Sequence, residues 1–128
     1  MKTRRLLPLL SMLTLFIASC YQGWKMDYGE VEAQFAQEGL AIKGKEFVGK
    51  KVTVRGTVAR IDLRDPKVAW LELENGIRCH LGEFRQMAAS ARVGEIVFVD
   101  GFLQRCDEGD ILMKPAMLRD PSAPFTPQ

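Results

Sequence analysis

Residues 68–81 read VAWLELENGIRCHL, which is two short runs of alternating side chains around a turn at 74–76. A two-residue Asn-Gly turn would place Leu73 opposite Arg78 and would mix apolar and polar residues on both faces. A three-residue loop instead pairs Leu73 with Ile77 and puts the glycine where such a loop needs a left-handed residue. Because a slip of one residue inverts the facing of a whole strand, the sequence predicts the second register.

This register separates the two strands into an apolar face and a polar face. The apolar pairs are Leu73–Ile77, Leu71–Cys79 and Ala69–Leu81, and the polar pairs are Glu72–Arg78 and Trp70–His80. We expect the polar face to bind a ligand, because an aromatic ring beside an arginine and a histidine can stack on and hydrogen-bond to a sugar, a base or a peptide. The alternative is structural: an N-terminal helix covers Trp70, and Glu72 with Arg78 forms a cross-strand charge pair.

A strand is predicted ahead of the hairpin at 51–61, where polar and apolar side chains alternate. One face consists of Val52, Val54 and Val58. Gly56 in the middle predicts a bulge or a sharp coil of the kind found in barrel strands. Arg55 is on the opposite face, and we expect it beside the polar face of the hairpin as a further candidate ligand-binding residue.

The segment after the hairpin predicts a short helix and two more strands. Within GEFRQMAASARVG (82–94), the helical stripe is Phe84, Met87, Ala88 and Ala91, and Gly94 supplies the stop. Strands are predicted at 96–104 and 111–118, joined by an acidic turn at 107–110. Pro115 predicts a sheet edge or a strand end, because proline has no N–H to donate.

A further helix is predicted to begin at Asp27. Asp27 and Glu30 have the spacing of a capping box. Spacings of three, four and seven would place four apolar side chains on one helical face: Tyr28, Val31, Phe35 and Ile42. Gly39 or Gly44 is expected to end this helix.

The resulting order is helix, three strands, helix, two strands. It predicts a mainly β protein, a five-stranded OB-fold barrel with a helix between strands 3 and 4 and an additional N-terminal helix. The domain is expected to span 27–119. A tail at 120–128 contains three prolines and is expected to be disordered.

The N-terminus resembles the signal sequence of bacterial lipoproteins. Basic Lys2, Arg4 and Arg5 precede an apolar run of about 13 residues, which is shorter than the ~20 needed to span a bilayer. The run ends in Ile17-Ala18-Ser19-Cys20, which resembles a lipobox. The alternative is an uncleaved anchor with an incidental cysteine.

The lipobox resemblance implies that residues 1–19 are a signal peptide and that Cys20 carries the lipid, including palmitate. Two or more acyl chains give a stable anchor. Residues 20–26 would then be a lipidated tether. Tyr21, which is not aspartate, implies the outer membrane facing the periplasm if the source is Gram-negative.

Removal of the signal peptide changes the charge of the chain. Three of its 18 Lys and Arg residues lie in 1–19 and none of its 16 Asp and Glu residues do, which leaves 15 against 16 and a formal charge of −1. Proteins that bind nucleic acid normally carry a basic excess. The sequence therefore disfavours a nucleic-acid partner and favours an envelope protein or a glycan.

Three stretches resemble the tRNA-anticodon-like OB-fold family of bacteria. They are FVGKKVTVRGTVARID (47–62), WLELENGIRCHL (70–81) and RVGEIVFVDGFL (92–103). The resemblance implies an OB barrel preceded by a helix in a small envelope lipoprotein. It implies no firm shared activity.

The remaining reactive residues give no catalytic or metal motif. Cys79 and Cys106 could form a disulfide in an exported protein or remain two buried thiols. His80 is the single histidine, so a zinc site with these cysteines lacks a fourth ligand. The turn 107–110 lacks the spacing of a calcium-binding EF-hand loop. No cofactor and no enzymatic activity are expected.

The sequence thus favours a lipid-anchored envelope binding module whose partner is a protein or a glycan. The first alternative is an accessory subunit of an envelope complex that has no ligand groove. A nucleic-acid binder and a small hydrolase that uses His80 are less favoured.

Replacing Cys20 with serine tests the lipobox. Because Cys20→Ser removes the thiol that accepts the lipid, we expect no incorporation of labelled palmitate and no cleavage in a bacterial host. Palmitate labelling and membrane fractionation of the variant and the wild type measure this. Cys106→Ser is the control and should label normally; labelling of Cys20→Ser at the wild-type level would contradict lipidation.

Overall fold

The computed structural model of the chain describes residues 30–128. The predicted signal peptide 1–19, the lipidation site Cys20 and the tether 20–26 lie outside the described residues. The predicted start of the N-terminal helix at Asp27 lies outside them as well.

The described part of the chain is built mainly from β-strands. Its elements are β1 (Ala33–Ala36), α1 (Gln37–Lys43), β2 (Lys51–Asp62), β3 (Ala69–Leu73), β4 (Ile77–Gly82), α2 (Arg85–Ser90), β5 (Ile96–Asp107) and β6 (Asp110–Arg119), with short 3₁₀ helices at Lys45–Phe47 and Glu74–Gly76.

Five of the strands close into a barrel. β2 pairs with β5 along its first half and with β3 along its second half, in both cases antiparallel. β3 pairs with β4, β4 runs parallel to β6, and β6 pairs with β5. The circuit β2–β3–β4–β6–β5–β2 is closed, and α2 lies between its third and fourth strands in sequence. The predicted OB-fold barrel is confirmed.

The predicted register of the β3–β4 hairpin is confirmed except at one end. The confirmed pairs are Leu73–Ile77, Glu72–Arg78, Leu71–Cys79 and Trp70–His80. Ala69 pairs with Gly82 instead of Leu81, because a bulge inserts one extra residue into β4. Gly82 has a φ of 58°, and the bulge allows both Ala69 and Leu81 to remain buried.

The alternation of the strands fills the barrel with aliphatic side chains. The largest fully buried ones include Leu71, Leu73, Ile77, Leu81, Leu103, Ile111, Met113, Val52, Val54 and Val58. Burial of each such side chain contributes roughly 1.5–3 kcal/mol. Helix α2 adds Ala88 to this core, and its two caps follow the predicted stripe: Ala91 is buried in the core and Phe84 packs against it.

Gly56 lies where β2 passes from one partner to the other. Thr57 pairs with Ile96 of β5, whereas Val58 pairs with Leu73 of β3. A Cβ atom at position 56 would lie 2.8 Å from Leu73 Cδ1 and 2.8 Å from Gln37 Oε1. The glycine therefore permits the close approach of β3 and α1 that closure of the barrel needs.

The N-terminal helix begins later than the sequence predicts. Residues Ala33–Ala36 form β1, parallel to β2, because side chains here alternate between buried and half-buried. Phe35 is fully buried and meets the ring of Phe47 edge-on at 5.5 Å. Ile42, predicted to share its face, is 80% exposed. The helix that follows ends at Lys43, with Gly44 as its C-cap.

Two other predictions concern Pro115 and the tail. Pro115 lies inside β6 and not at its end, next to a shift in the β5–β6 register between Gly101 and Leu103. The β4–β6 pairing stops at Met113, so, within the described residues, Pro115 lies where β6 has a free edge, which is the other predicted alternative. The tail 120–128 forms no helix or strand, and the structure places it against the barrel: the Gln128 N–H donates to the Gln34 carbonyl at 2.8 Å. One aromatic side chain and a few backbone groups hold the tail in place despite its prolines.

The turn of the β3–β4 hairpin predicts a large cost for one substitution. Gly76 has a φ of 72°, and a Cβ there would lie 2.4 Å from the carbonyl oxygen of Gly109. We expect Gly76→Ala to lower the free energy of unfolding by ~1–2 kcal/mol for the left-handed backbone and a further ~1–3 kcal/mol for overpacking.

Gly94→Ala is the matched control for this experiment. Gly94 has a φ of 89° but has open space where the Cβ would lie, so its variant should lose only the ~1–2 kcal/mol of the left-handed backbone. Urea unfolding of both variants measures the difference. If both variants lost the same free energy of unfolding, the close approach of the β3–β4 turn to the β5–β6 turn would not restrict the side chain at position 76.

Candidate functional site

The outward side chains of β3 and β4 form one surface, which we call the Trp70 face: Trp70, Glu72, Arg78 and His80. The intervening residues Leu71 and Cys79 are buried in the barrel, so the strand period of two directs these four outward. The four side chains face one another across two adjacent strands. The structure therefore brings together four of the five predicted ligand-binding residues.

Trp70 is held between two side chains of β4. The His80 ring meets it edge-on, with centroids 4.8 Å apart and an interplanar angle of 82°. The Arg78 guanidinium carbon lies 4.4 Å from the centroid of the Trp70 ring. Edge-to-face ring pairs contribute ~0.5–1.5 kcal/mol and exposed cation–π pairs ~0.5–1 kcal/mol. These contacts orient a half-exposed indole without burying it.

Glu72 is shared unequally between two arginines. Its carboxylate forms an ion pair with Arg60 Nε at 2.7 Å, whereas Arg78 Nε lies 3.8 Å away. The predicted Glu72–Arg78 charge pair is therefore present but is the weaker of the two contacts. Because exposed ion pairs contribute ~0–1 kcal/mol, Arg78 can donate to another acceptor at little cost.

The sequence reasoning missed a cluster beside this face, in which one aspartate, Asp62, binds two arginines. Asp62 pairs with Trp70 in the β2–β3 register, and it bonds Arg64 through two nitrogens at 2.8 and 3.0 Å and Arg60 at 2.8 Å. Hydrogen bonds from Arg64, with a smaller one from Arg60, hold the pKa of Asp62 well below its usual range. The same pairing raises the pKa of Arg64. Asp62 therefore stays ionised at any physiological pH.

A row of side chains continues the Trp70 face across five strands. In register these are Arg60, Glu72, Arg78, Leu112 and Arg105. Arg105 is held by Asp110, with Nε and Oδ2 2.9 Å apart. A shallow groove of about 300 Å³ runs between Glu72, Arg78 and the β5–β6 turn at Gly109. Alternation continued from Val58 would point Arg60 and Asp62 into the barrel, and a bulge between Val58 and Arg60 turns them outward instead. The alternating pattern therefore gave no signal for this part of the surface.

Arg55 does not belong to the Trp70 face, and its predicted place was wrong. It pairs with Ala36 of β1 and Phe98 of β5, and its guanidinium carbon lies 5.0 Å from the Phe125 ring centroid. The reason is barrel closure: the first half of β2 faces β5, and only the second half faces β3. Arg55 and Arg60 therefore serve different surfaces.

Cys79 and Cys106 are free thiols, and both are buried. They align with different residues of β6, since Cys79 pairs with Met113 and Cys106 with Ile111. Burial raises the pKa of Cys79 to about 12 and also raises the pKa of Cys106. The Cys106 thiol donates to the Leu40 carbonyl, with a sulfur–oxygen distance of 3.3 Å. The sequence left open a disulfide or two buried thiols, and the structure has two buried thiols.

The described residues also bear on metal binding and on membrane spanning. Within 30–128, no cluster of three or more His, Cys, Asp or Glu side chains has a geometry suited to a metal ion. None of the helices in this range combines the length and the apolar character needed to cross a membrane.

The side chains of the Trp70 face are suited to binding a ligand. It offers an indole, an imidazole and a guanidinium whose anionic partner is distant. The strands that carry them correspond to the second and third strands of the OB barrel, which with the flanking loops form the usual binding face of the fold. Arg64 lies in the first of those loops, between β2 and β3, and the β5–β6 turn is the second.

The comparisons with known proteins bear on the fold. A crystal structure of "a putative aspartyl-tRNA synthetase from Leishmania major Friedlin" matches with a TM-score of 0.51 and 14% identity, over 80% of this chain and 26% of that one. This chain therefore spans about a quarter of the synthetase. At such low identity, the match supports the fold alone.

Two further structures match less closely. A "putative nucleic acid-binding lipoprotein" from Klebsiella pneumoniae has a TM-score of 0.49 and 12% identity, over 69% of this chain and 92% of that one. The OBody AM3L15, solved bound to hen egg-white lysozyme, has a TM-score of 0.44 and 17% identity, over 63% and 86%. No protein-family model and no curated protein matches the chain.

The raised thiol pKa values predict low cysteine reactivity. We expect the mature chain (20–128) carrying Cys20→Ser to react negligibly with a thiol reagent at pH 7.5 while folded, because the thiolate is the reactive form. In denaturant, both Cys79 and Cys106 should react within minutes. With a reagent that releases a chromophore when it reacts with a thiol, the absorbance measures the rate of reaction. The Cys79→Ala variant then reports the reaction of Cys106 alone. Rapid reaction of the folded chain would contradict the burial of both.

Proposed function

We propose that this chain is a lipid-anchored OB-fold binding module of the bacterial cell envelope and that its ligand, a protein or a glycan, binds at the Trp70 face. The observation that carries the proposal is the half-exposed indole of Trp70, oriented by Arg78 and His80 on the strands that OB-folds use for binding. The proposal extends to a non-enzymatic role, because this face combines stacking and hydrogen-bonding groups without a nucleophile paired to a base.

The geometry favours a ligand that combines a flat surface with hydrogen-bond acceptors. A pyranose ring or a peptide side chain can lie against the exposed part of Trp70. Arg78 can donate to a hydroxyl, carbonyl or carboxylate oxygen, since its own partner Glu72 is 3.8 Å away. Glu72 can accept from a hydroxyl or an amide while it remains bound to Arg60.

Charge disfavours a nucleic acid at the same site. Four arginines on and beside the Trp70 face, Arg60, Arg64, Arg78 and Arg105, are opposed by three carboxylates, Asp62, Glu72 and Asp110. Binding to a phosphate backbone draws on unpaired cations and the release of counterions. A face whose arginines are largely neutralised supplies little of either.

The envelope location rests on the N-terminal sequence. The lipobox ending at Cys20 supports an acylated anchor, and Tyr21 supports an outer-membrane protein facing the periplasm in a Gram-negative source. The resemblance to the tRNA-anticodon-like OB-fold lipoproteins agrees with the confirmed barrel. On this proposal, the ligand must be reachable from a membrane on the short tether 20–26.

One observation favours a second candidate, the accessory subunit of an envelope complex. Ile42 of α1 is 80% exposed beside an open cleft of about 640 Å³. The cleft is lined by Glu38, Ala41, Ile42, Lys45, Asn75, Glu108 and Gly109. Cross-linking through α1 to one stoichiometric protein would favour this candidate over the Trp70 face.

Affinity capture tests the proposed site. The lipidated protein is captured from membranes, its protein partners are identified by mass spectrometry, and isolated peptidoglycan serves as the glycan probe. We expect Trp70→Ala and Arg78→Ala each to weaken binding of the captured protein or of peptidoglycan about 30-fold, as central aromatic and arginine contacts cost ~2 kcal/mol when truncated.

Arg92→Ala is the matched control, because Arg92 is an exposed arginine in the loop that precedes β5. It should bind like the wild type. Urea unfolding must show that the variants remain folded. Wild-type binding by folded Trp70→Ala and Arg78→Ala variants would reject the site, and loss of binding only in Ile42→Asp would favour the accessory subunit.

A further inference from the structure

The tail 120–128 covers a second surface of the barrel, which shares no residue with the Trp70 face. We call it the tail-covered surface and define it by Gln34, Arg55, Phe98 and Arg119. Phe125 is the anchor: its ring meets Phe98 edge-on, with centroids 5.1 Å apart, and the Arg55 guanidinium carbon lies 5.0 Å from its centroid.

The tail also contacts β1 at the edge of the sheet. β1 lies at the end of the strand order and pairs with β2. Alternate N–H groups of the tail donate to one residue of β1: Thr126 to Gln34 Oε1 at 2.6 Å, and Gln128 to the Gln34 carbonyl at 2.8 Å. The second bond joins backbone groups, as in peptide recognition by strand addition at a sheet edge.

The side chains beneath the tail are held in position by contacts with other barrel residues. Asp100 accepts a hydrogen bond from the Thr53 hydroxyl and pairs with Arg119 at 3.1 Å. Phe98 is placed by its register opposite Arg55 and Arg119. The groups that hold Phe125 are therefore positioned by β2, β5 and β6 rather than by the tail itself.

The tail is an incomplete occupant of this surface. Arg119 Nη2 donates to the Pro124 carbonyl at 3.2 Å, whereas its Nε is buried and has no acceptor within the described residues. Seven of the nine tail residues are exposed, and only Ala123 and Phe125 are half-buried. A groove of about 380 Å³ continues beside Phe98, lined by Ile96, Leu118 and Pro121 among others. A different peptide could therefore make contacts that the tail does not make.

We propose that the tail-covered surface is a peptide-binding site, and that the tail occupies it as a tethered competitor. The partner is an extended segment of another protein, with a phenylalanine or similar aromatic for the Phe125 position. Its backbone carbonyls face Arg119, and its N–H groups face Gln34. This site is independent of the function proposed for the Trp70 face.

Weak attachment makes the competition reversible. A tethered segment acts at an effective concentration of about millimolar for a short linker, so a partner must exceed that competition to bind. Removing the anchor ring should release the surface without disturbing the barrel, because Phe125 packs on the outside of β5.

The test uses the mature chain (20–128) with Cys20→Ser, with and without Phe125→Ala. The probe is a fluorescently labelled peptide with the sequence of residues 120–128, DPSAPFTPQ, and its anisotropy reports binding. We expect the Phe125→Ala chain to bind the peptide at least tenfold more tightly than the chain with its own Phe125. A peptide with alanine in place of its phenylalanine should lose binding at least tenfold.

Further variants in the Phe125→Ala background locate the site. Arg55→Ala should weaken peptide binding at least tenfold, whereas Trp70→Ala should leave it unchanged, which separates this proposal from the Trp70 face. No binding by a folded Phe125→Ala chain, or equal binding with and without Phe125, would overturn the proposal. A dimer of the Phe125-containing chain on light scattering that Phe125→Ala dissolves would also overturn it, since the surface would then hold the tail of a second copy.

Discussion

The structure depends on one constraint, that a single strand must bond two different strands along its length. The first half of β2 pairs with β5 and its second half pairs with β3, and the barrel is closed only because one strand makes both pairings. A continuous strand can do this if it coils strongly, and glycine often marks such a bend. Gly56 lies where the partner of β2 changes, beside the side chains of Leu73 and Gln37, and a bulge between Val58 and Arg60 follows it.

The same constraint explains which parts of the site could be predicted from sequence. The hairpin that carries Trp70 and Arg78 is local, and its register follows from strand alternation and loop length, so those side chains were correctly placed together. The neighbours supplied by β2 were not. Alternation points Arg55 outward but would point Arg60 inward. A bulge between Val58 and Arg60 turns Arg60 outward, and closure of the barrel places it, and not Arg55, beside β3. The sequence reasoning therefore chose Arg55 and missed Arg60 with its Asp62 partner.

The two ends of the domain were the hardest parts to predict, for a different reason. β1 is four residues long, and its Phe35 fits a helical spacing as well as a strand spacing; its pairing with β2, far along the chain, is what selects the strand. The tail has the composition of a disordered segment, and Pro124 and Pro127 fit neither helix nor sheet. An argument from composition does not take account of a single ring such as Phe125, which contacts Phe98 and Arg55 on the barrel surface.

Gln34 has a topological consequence, because it joins the beginning of the fold to its end. The Gln128 N–H donates to the Gln34 carbonyl, so the tail returns to the first strand of the described fold. A short peptide joining Gln128 to the start of β1 would close a short loop at little entropic cost, and new termini could be opened at an exposed loop such as 63–68.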